Sequence, residues 1–218
     1  MANKHPGIGL MMAKALAANG AARVYILGRR QDVLEAAAAS AGPDLAGVLV
    51  PVQCDVVSRE SLLAAAARVA AETGHVDLLV CNAGIGGPQV PAPAPGPTAT
   101  GAGGTETPQQ TLAEWRAAHL ATDPADYMRT FEVNVSSVWY SVFAFLELLD
   151  QGNRVVRGEG RAGWGSQVVV TSSIAGYNRA APGGWAYGQS KAAVTHAVKQ
   201  LAVVLPQWNI RCVLSLLV

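Results

Sequence analysis

The 218-residue chain is half hydrophobic and carries 16 basic against 15 acidic residues, a formal net charge of +1. That balance offers no basic footprint for a nucleic-acid backbone or an anionic membrane surface, and the apolar content suffices for one large α/β domain over residues 1–218. Cys54, Cys81 and Cys212 lack CxxC spacing, His5, His75, His119 and His196 share no ligand pattern, and no apolar run reaches the roughly 20 residues that span a bilayer, so no metal, no membrane and a reducing, cytoplasmic setting are expected.

In chain order, residues 7–19 place Leu10, Met11, Lys14 and Ala17 at helical spacing, and Gly20 can take the left-handed conformation that ends a helix. Arg23 to Leu27 reads as a short strand, followed by a helix from Gln31 to Ala41 that Gly42 and Pro43 stop. The alternation repeats as a strand over Val48 to Gln53, an alanine-rich helix over Ser58 to Thr73 and an apolar strand over Val76 to Cys81. Uninterrupted apolar strands suit a parallel sheet covered on both faces.

Residues 86–108 are rich in proline, glycine, alanine and threonine and are expected to be a surface insertion, because such a composition neither packs a core nor sustains regular hydrogen bonding. After a helical segment over Leu112 to Leu120, Thr122-Asp123-Pro124 reads as a cap followed by proline in the first turn of one long helix reaching Leu149. The apolar residues of that helix, from Phe131 through Trp139 and Phe143 to Leu149, cover more than one stripe. It either packs on the sheet and on a second copy of the chain, making a homo-oligomer, or is buried within one monomer. Gln151 to Gly165 reads as a second polar insertion, and a strand over Gln167 to Thr171, a helix from Tyr187 to Leu205 and a strand from Ile210 complete the pattern.

Four motifs then occur in a fixed order: Gly7-Ile8-Gly9, Asn82-Ala83-Gly84 after a buried strand, Ser173 after the next, and Tyr187-Gly188-Gln189-Ser190-Lys191. Through them the chain resembles the short-chain dehydrogenase/reductases over nearly its whole length. The resemblance implies an α/β, Rossmann-type doubly wound parallel sheet. It also implies an NAD(P)-dependent oxidoreductase that interconverts a small-molecule carbonyl and a secondary alcohol.

Tyr187 and Lys191 are one helical turn apart, so both project from one face, and an ammonium beside a phenol favours the phenolate. The resemblance makes Tyr187 the acid and base and gives Lys191 the nicotinamide ribose as a second partner. Ser173 resembles the serine that orients the substrate oxygen, with Ser172 as the neighbouring fallback, and Asn134 the asparagine that maintains a water path to the lysine. Gly7, Ile8 and Gly9 correspond to the cofactor loop, Asp55 to the adenine contact, and Asn82, Ala83 and Gly84 to the middle of the cofactor crevice. Where NAD-preferring sites place an acid after the second strand, this chain has Arg29 and Arg30. Two arginines at the positive end of a helix favour an anion such as a 2′-phosphate, so NADP(H) is expected over NAD(H), with Arg29 the leading contact and Arg30 the second. The plainer alternative is two solvated arginines.

The chain departs from the family pattern at both ends. Asn3 stands at the first loop glycine, no residues precede it to build the first strand, and the last residues run Val213-Leu214-Ser215-Leu216-Leu217-Val218 in place of a substrate lid. In the order 3-2-1-4-5-6 the first strand is central, so both of its neighbours are expected to lose a partner. Unsatisfied buried groups cost about 1–3 kcal/mol each against a total stability of about 5–15 kcal/mol. The expectation is therefore a shortened enzyme that binds NADPH weakly and turns over slowly or not at all. A catalytically impaired binding or regulatory protein is the alternative.

Overall fold

The apolar runs become strands in the computed structural model, which describes residues 7–90, 110–158, 165–179 and 183–217. After helix α1 (Ile8–Ala18), strand β1 (Val24–Gly28) leads through α2 (Gln31–Ala39) to β2 (Leu49–Gln53), and α3 (Arg59–Glu72) leads to β3 (Leu78–Cys81). Gly20 takes φ +91 behind α1, the left-handed turn expected there. The Ser58 side chain accepts a hydrogen bond from the Ser61 N–H and so caps α3.

Helix α4 (Leu112–Leu120) opens with a full capping box between Thr111 and Glu114, and α5 (Pro124–Phe131) with Asp123 accepting from the Ala125 N–H at 2.8 Å. The single long helix expected from Pro124 to Leu149 is not one helix. It passes through a π-helical turn at Glu132–Ser136, continues as α6 (Ser137–Ala144), breaks at Phe145 and resumes as α7 (Leu146–Gly158). Residues 151–158, expected in a polar insertion, are the second half of α7, and residues 159–164 lie outside the described ones. Asn153 explains the difference: its Nδ2 donates to the Trp208 carbonyl at 2.8 Å and its Oδ1 accepts from the Ser166 N–H at 2.6 Å. Tertiary hydrogen bonds thus hold a polar stretch helical. The greater part of the proline-rich insertion, residues 91–108, also lies outside the described residues.

Strand β4 (Gln167–Ser173) lies between β3 and β5 (Arg211–Leu217), and α8 (Trp185–Val204) is the crossover from β4 to β5. All pairings are parallel: Val24 faces Leu49, Leu78 faces Gln167, and Gln167 faces Arg211. The strands form two sheets, β1-β2 and β3-β4-β5, and among the described residues no strand joins them. The expected loss of a partner by two strands therefore falls on β1 and β3, each paired on one edge alone.

The main core lies on β4 and β5, where Val168, Val170, Val194 and Ile210 are fully enclosed by α6, α7 and α8. A second core, with Val52, Leu62, Val69 and Phe145 buried and Leu27 and Leu79 packed against it, bridges the two sheets on one side. The third is small: Ala13 and Ala17 of α1 against Leu49.

Candidate active site

Tyr187 sits in the first turn of α8, and the chain reaches it through Gly183 and Gly184 at φ +82 and +96. A side chain at Gly183 would start 2.8 Å from a carbon of the Tyr187 ring, so glycine there meets both a backbone and a space requirement. Lys191, one turn on, is 4% exposed, and its Nζ donates to the Thr171 carbonyl at 2.8 Å while lying 5.7 Å from the Tyr187 ring centroid. Burial pulls the Lys191 ammonium below its ordinary pKa, because desolvation penalises the charged form.

The two serines at the end of β4 part company. Ser172 is buried, its hydroxyl 2.8 Å from Thr195 Oγ1 and donating to the Lys191 carbonyl at 3.3 Å. Ser173 is half-buried at the crevice, and its Oγ accepts the Ala175 N–H at 3.1 Å. Asn134 lies within the π-helical turn, 1% exposed, with Oδ1 accepting from the Ile85 N–H and Nδ2 donating to the Ile85 carbonyl, both at 2.9 Å. A π-turn rotates one residue out of the α-helical register, and here that residue is the one that clamps the loop after β3.

Ile8, Asn82, Gly84, Ser173, Tyr187 and Lys191 line one crevice of about 480 Å³. Its walls also include Ile85, Gly86, Thr171 and Gly183, which the motif reading did not single out. Thr171 is the instructive omission: its carbonyl holds Lys191, and its hydroxyl donates to Asn82 Oδ1 at 3.1 Å. Its only signal in the sequence is its place two residues before Ser173. Gly9 meets the crevice from behind, since a Cβ there would lie 2.8 Å from Asn82 Nδ2. Gly7 precedes α1 with open space around it, and Ala83 is exposed beside the crevice residues.

Arg29, Arg30 and Asp55 stand apart from these walls, at the carboxyl ends of β1 and β2. Both arginines are exposed, and the Arg29 carbonyl accepts from Gln53 Nε2 at 3.0 Å. Asp55 Oδ1 accepts from the Val57 N–H at 3.2 Å. Trp185 packs away from these walls, its ring centroid 6.3 Å from that of Trp115 and 5.8 Å from that of His119. Among the described residues no helix is long and apolar enough to cross a membrane.

The residues fit a dinucleotide on physical grounds: glycines where side chains would obstruct a loop, a helix N-terminus at Ile8, and a buried cation beside a phenol. Comparison with known proteins agrees with this geometry. Residues 4–215 match the short chain dehydrogenase family. The chain is 41% identical to short-chain dehydrogenase/reductase PhomF of Diaporthe leptostromiformis, over 94% of this chain and 63% of that protein. It is 42% identical to VdtF of Byssochlamys spectabilis, over 94% and 67%. It thus spans about 63% of the length of the first of these relatives. A metagenomic short-chain oxidoreductase solved in complex with NADP superposes with a TM-score of 0.69 at 25% identity, covering 97% of this chain and 76% of that one. The chain belongs to the short-chain dehydrogenase/reductase family.

Proposed function

We propose that the chain is an NADP(H)-dependent oxidoreductase that interconverts a small-molecule carbonyl and a secondary alcohol, with Tyr187 as its acid and base. The observation that carries this reading is the shared crevice: the Tyr187 phenol, the buried Lys191 and Ser173 border one cavity with Asn82 and Gly84. Ile8, Asn82, Gly84 and Lys191 would hold a nicotinamide there, whose chemistry would be the supply or acceptance of hydride. Ser173 directs the carbonyl oxygen toward Tyr187, which gives up its proton as charge develops on that oxygen. Lys191, kept within reach of Tyr187 by the Thr171 carbonyl, offsets the negative charge left on the phenol. Asn134 works indirectly, through the loop it clamps.

The preference for NADP(H) is supported by Arg29 and Arg30, exposed between β1 and α2 with no acid directly after the strand; the nearest, Asp32, lies in the first turn of α2. Asp55, Gly7, Gly9 and Ala83 complete the proposed cofactor contacts. Unpaired buried cysteines favour a cytoplasmic setting. A second copy of the chain is the partner proposed for the apolar surface of α5 and α6, where Met128, Tyr140 and Phe143 are exposed beside a groove lined by Phe131, Val135 and Trp139.

The test is NADPH oxidation followed at 340 nm with 9,10-phenanthrenequinone and a panel of simpler ketones. Tyr187→Phe is expected to lose about 10²–10⁴-fold in kcat, the usual worth of a positioned acid. Equal rates for parent and variant would remove the reductase reading.

A further inference from the structure

Ser190 lies directly between Gln189 and Lys191 in the motif and plays no part in the mechanism above, yet it is fully buried in the interior of α8. Alanine would suit such a position better, since a serine hydroxyl in mid-helix competes with the backbone. The hydroxyl is committed on both sides. It donates to the Tyr187 carbonyl at 2.7 Å and accepts from Asn134 Nδ2 at 2.9 Å. Because its one proton goes to Tyr187, it can present only a lone pair to Asn134, so the amide must turn its NH₂ toward Ser190. The second amide hydrogen then reaches the Ile85 carbonyl, and Oδ1 is left facing the Ile85 N–H. The hydroxyl thereby favours the same amide orientation that the Ile85 N–H and carbonyl require, and adds a third point of support to the grip on Ile85. Gly84 precedes that grip so closely that a Cβ on it would lie 3.2 Å from Asn134 Oδ1 and 3.6 Å from Lys191 Nζ.

We infer that Ser190 is a positioning residue, whose hydroxyl orients Asn134 and through it holds residues 84–86 at a fixed distance from Tyr187 and Lys191. The inference rests on the reductase reading of the crevice, so the experiment includes Tyr187→Phe as its reference.

Two readouts test it. By amide hydrogen exchange, Ser190→Ala is expected to speed exchange at Ile85 at least tenfold while Val170, in the core of β4, is unchanged. In NADPH oxidation with 9,10-phenanthrenequinone, Ser190→Ala is expected to lower kcat about tenfold with KM within twofold. Ser190→Thr, which keeps the hydroxyl, recovers most of that loss, and Ser190→Ala adds nothing in an Asn134→Ala background. Should Ser190→Ala fail to fold, Ser190→Cys, close in size but a weak hydrogen-bonding group, takes its place in every comparison. An unchanged Ile85 exchange rate, equal losses in the alanine and threonine variants, or full kcat in Ser190→Ala while Tyr187→Phe is inactive would each overturn the assignment. Activity unaffected by Tyr187→Phe would instead strike at the reductase reading itself.

Discussion

Strand β4 and strand β1 are both parallel strands with an apolar run, and their surroundings are very different. In β4, paired on both edges, Val168 and Val170 are wholly buried; in β1, paired among the described residues with β2 alone, every residue is half-buried. The core on the β3-β4-β5 sheet packs Val168 and Val170 of β4 and Ile210 against leucines and valines of α6, α7 and α8, whereas the buried part of that between α1 and β2 is two alanines and Leu49. A parallel strand is sealed by neighbours on its edges as well as helices on its faces, and among the described residues β1 and β3 each have a neighbour on one edge. The difference divides the site. Ser173, Tyr187, Lys191 and Asn134 stand on the well-sealed sheet and its helices, while Arg29, Arg30 and Asp55 stand on the open one. The chemistry is thus anchored more firmly than the proposed adenosine end of the cofactor site.

Equivalent truncations in the two sheets should show the inequality most strongly. Ile210→Ala, at a fully buried position, is expected to cost about 2–5 kcal/mol in urea unfolding. Ile26→Ala, half-buried in β1, should cost about 1 kcal/mol. Equal costs would show that β1 is as well packed as the core beside β4 and β5.

Thiol labelling separates the sheets next. Cys54 follows β2, while Cys81 and Cys212 belong to β3 and β5. Burial raises all three thiols, Cys81 to about 12 and Cys212 to about 11, so native labelling by Ellman's reagent at pH 8 should be slow throughout. In urea below the main transition, Cys54 should become reactive first, as the less-packed sheet opens locally. Simultaneous labelling of all three would mean that the two sheets open as one unit.

The strands and most helix limits could be read from the sequence because apolar runs of four to seven residues, bounded by glycine, proline or a capping serine, leave few alternatives. Tyr187, Lys191, Ser173 and Asn82 were legible through their motifs. The break at Asn134 was not: no proline or glycine marks it, and its cause is the pair of hydrogen bonds to Ile85, 49 residues away. The helical fate of residues 151–158 was hidden in the same way, since Asn153 reads as a loop former until Trp208 and Ser166 approach it. Ser190 and Thr171 escaped because their work is done by hydroxyl and carbonyl groups that many residue types carry.

A smaller effect concerns pH. Lys191 is a base whose burial lowers its pKa from the ordinary 10.5, so between the depressed value and 10.5 the folded chain binds fewer protons than the unfolded one. Stability contributed by this group therefore rises with pH across that window and is least below it. Lys191→Met removes the dependence. The Tm difference between parent and variant should move in the parent's favour from pH 7 to pH 10, and parallel curves would mean that the lysine is not desolvated.

The central claim is that a nicotinamide nucleotide occupies the crevice beside Tyr187 and Lys191. Hydrogen exchange with and without millimolar NADPH addresses it directly. The account predicts slowed exchange at Ile8 and Gly9, at residues 82–86 and at residues 171–173, with weaker protection at Arg29 and Arg30. Unchanged exchange in residues 82–86 at saturating NADPH would contradict it.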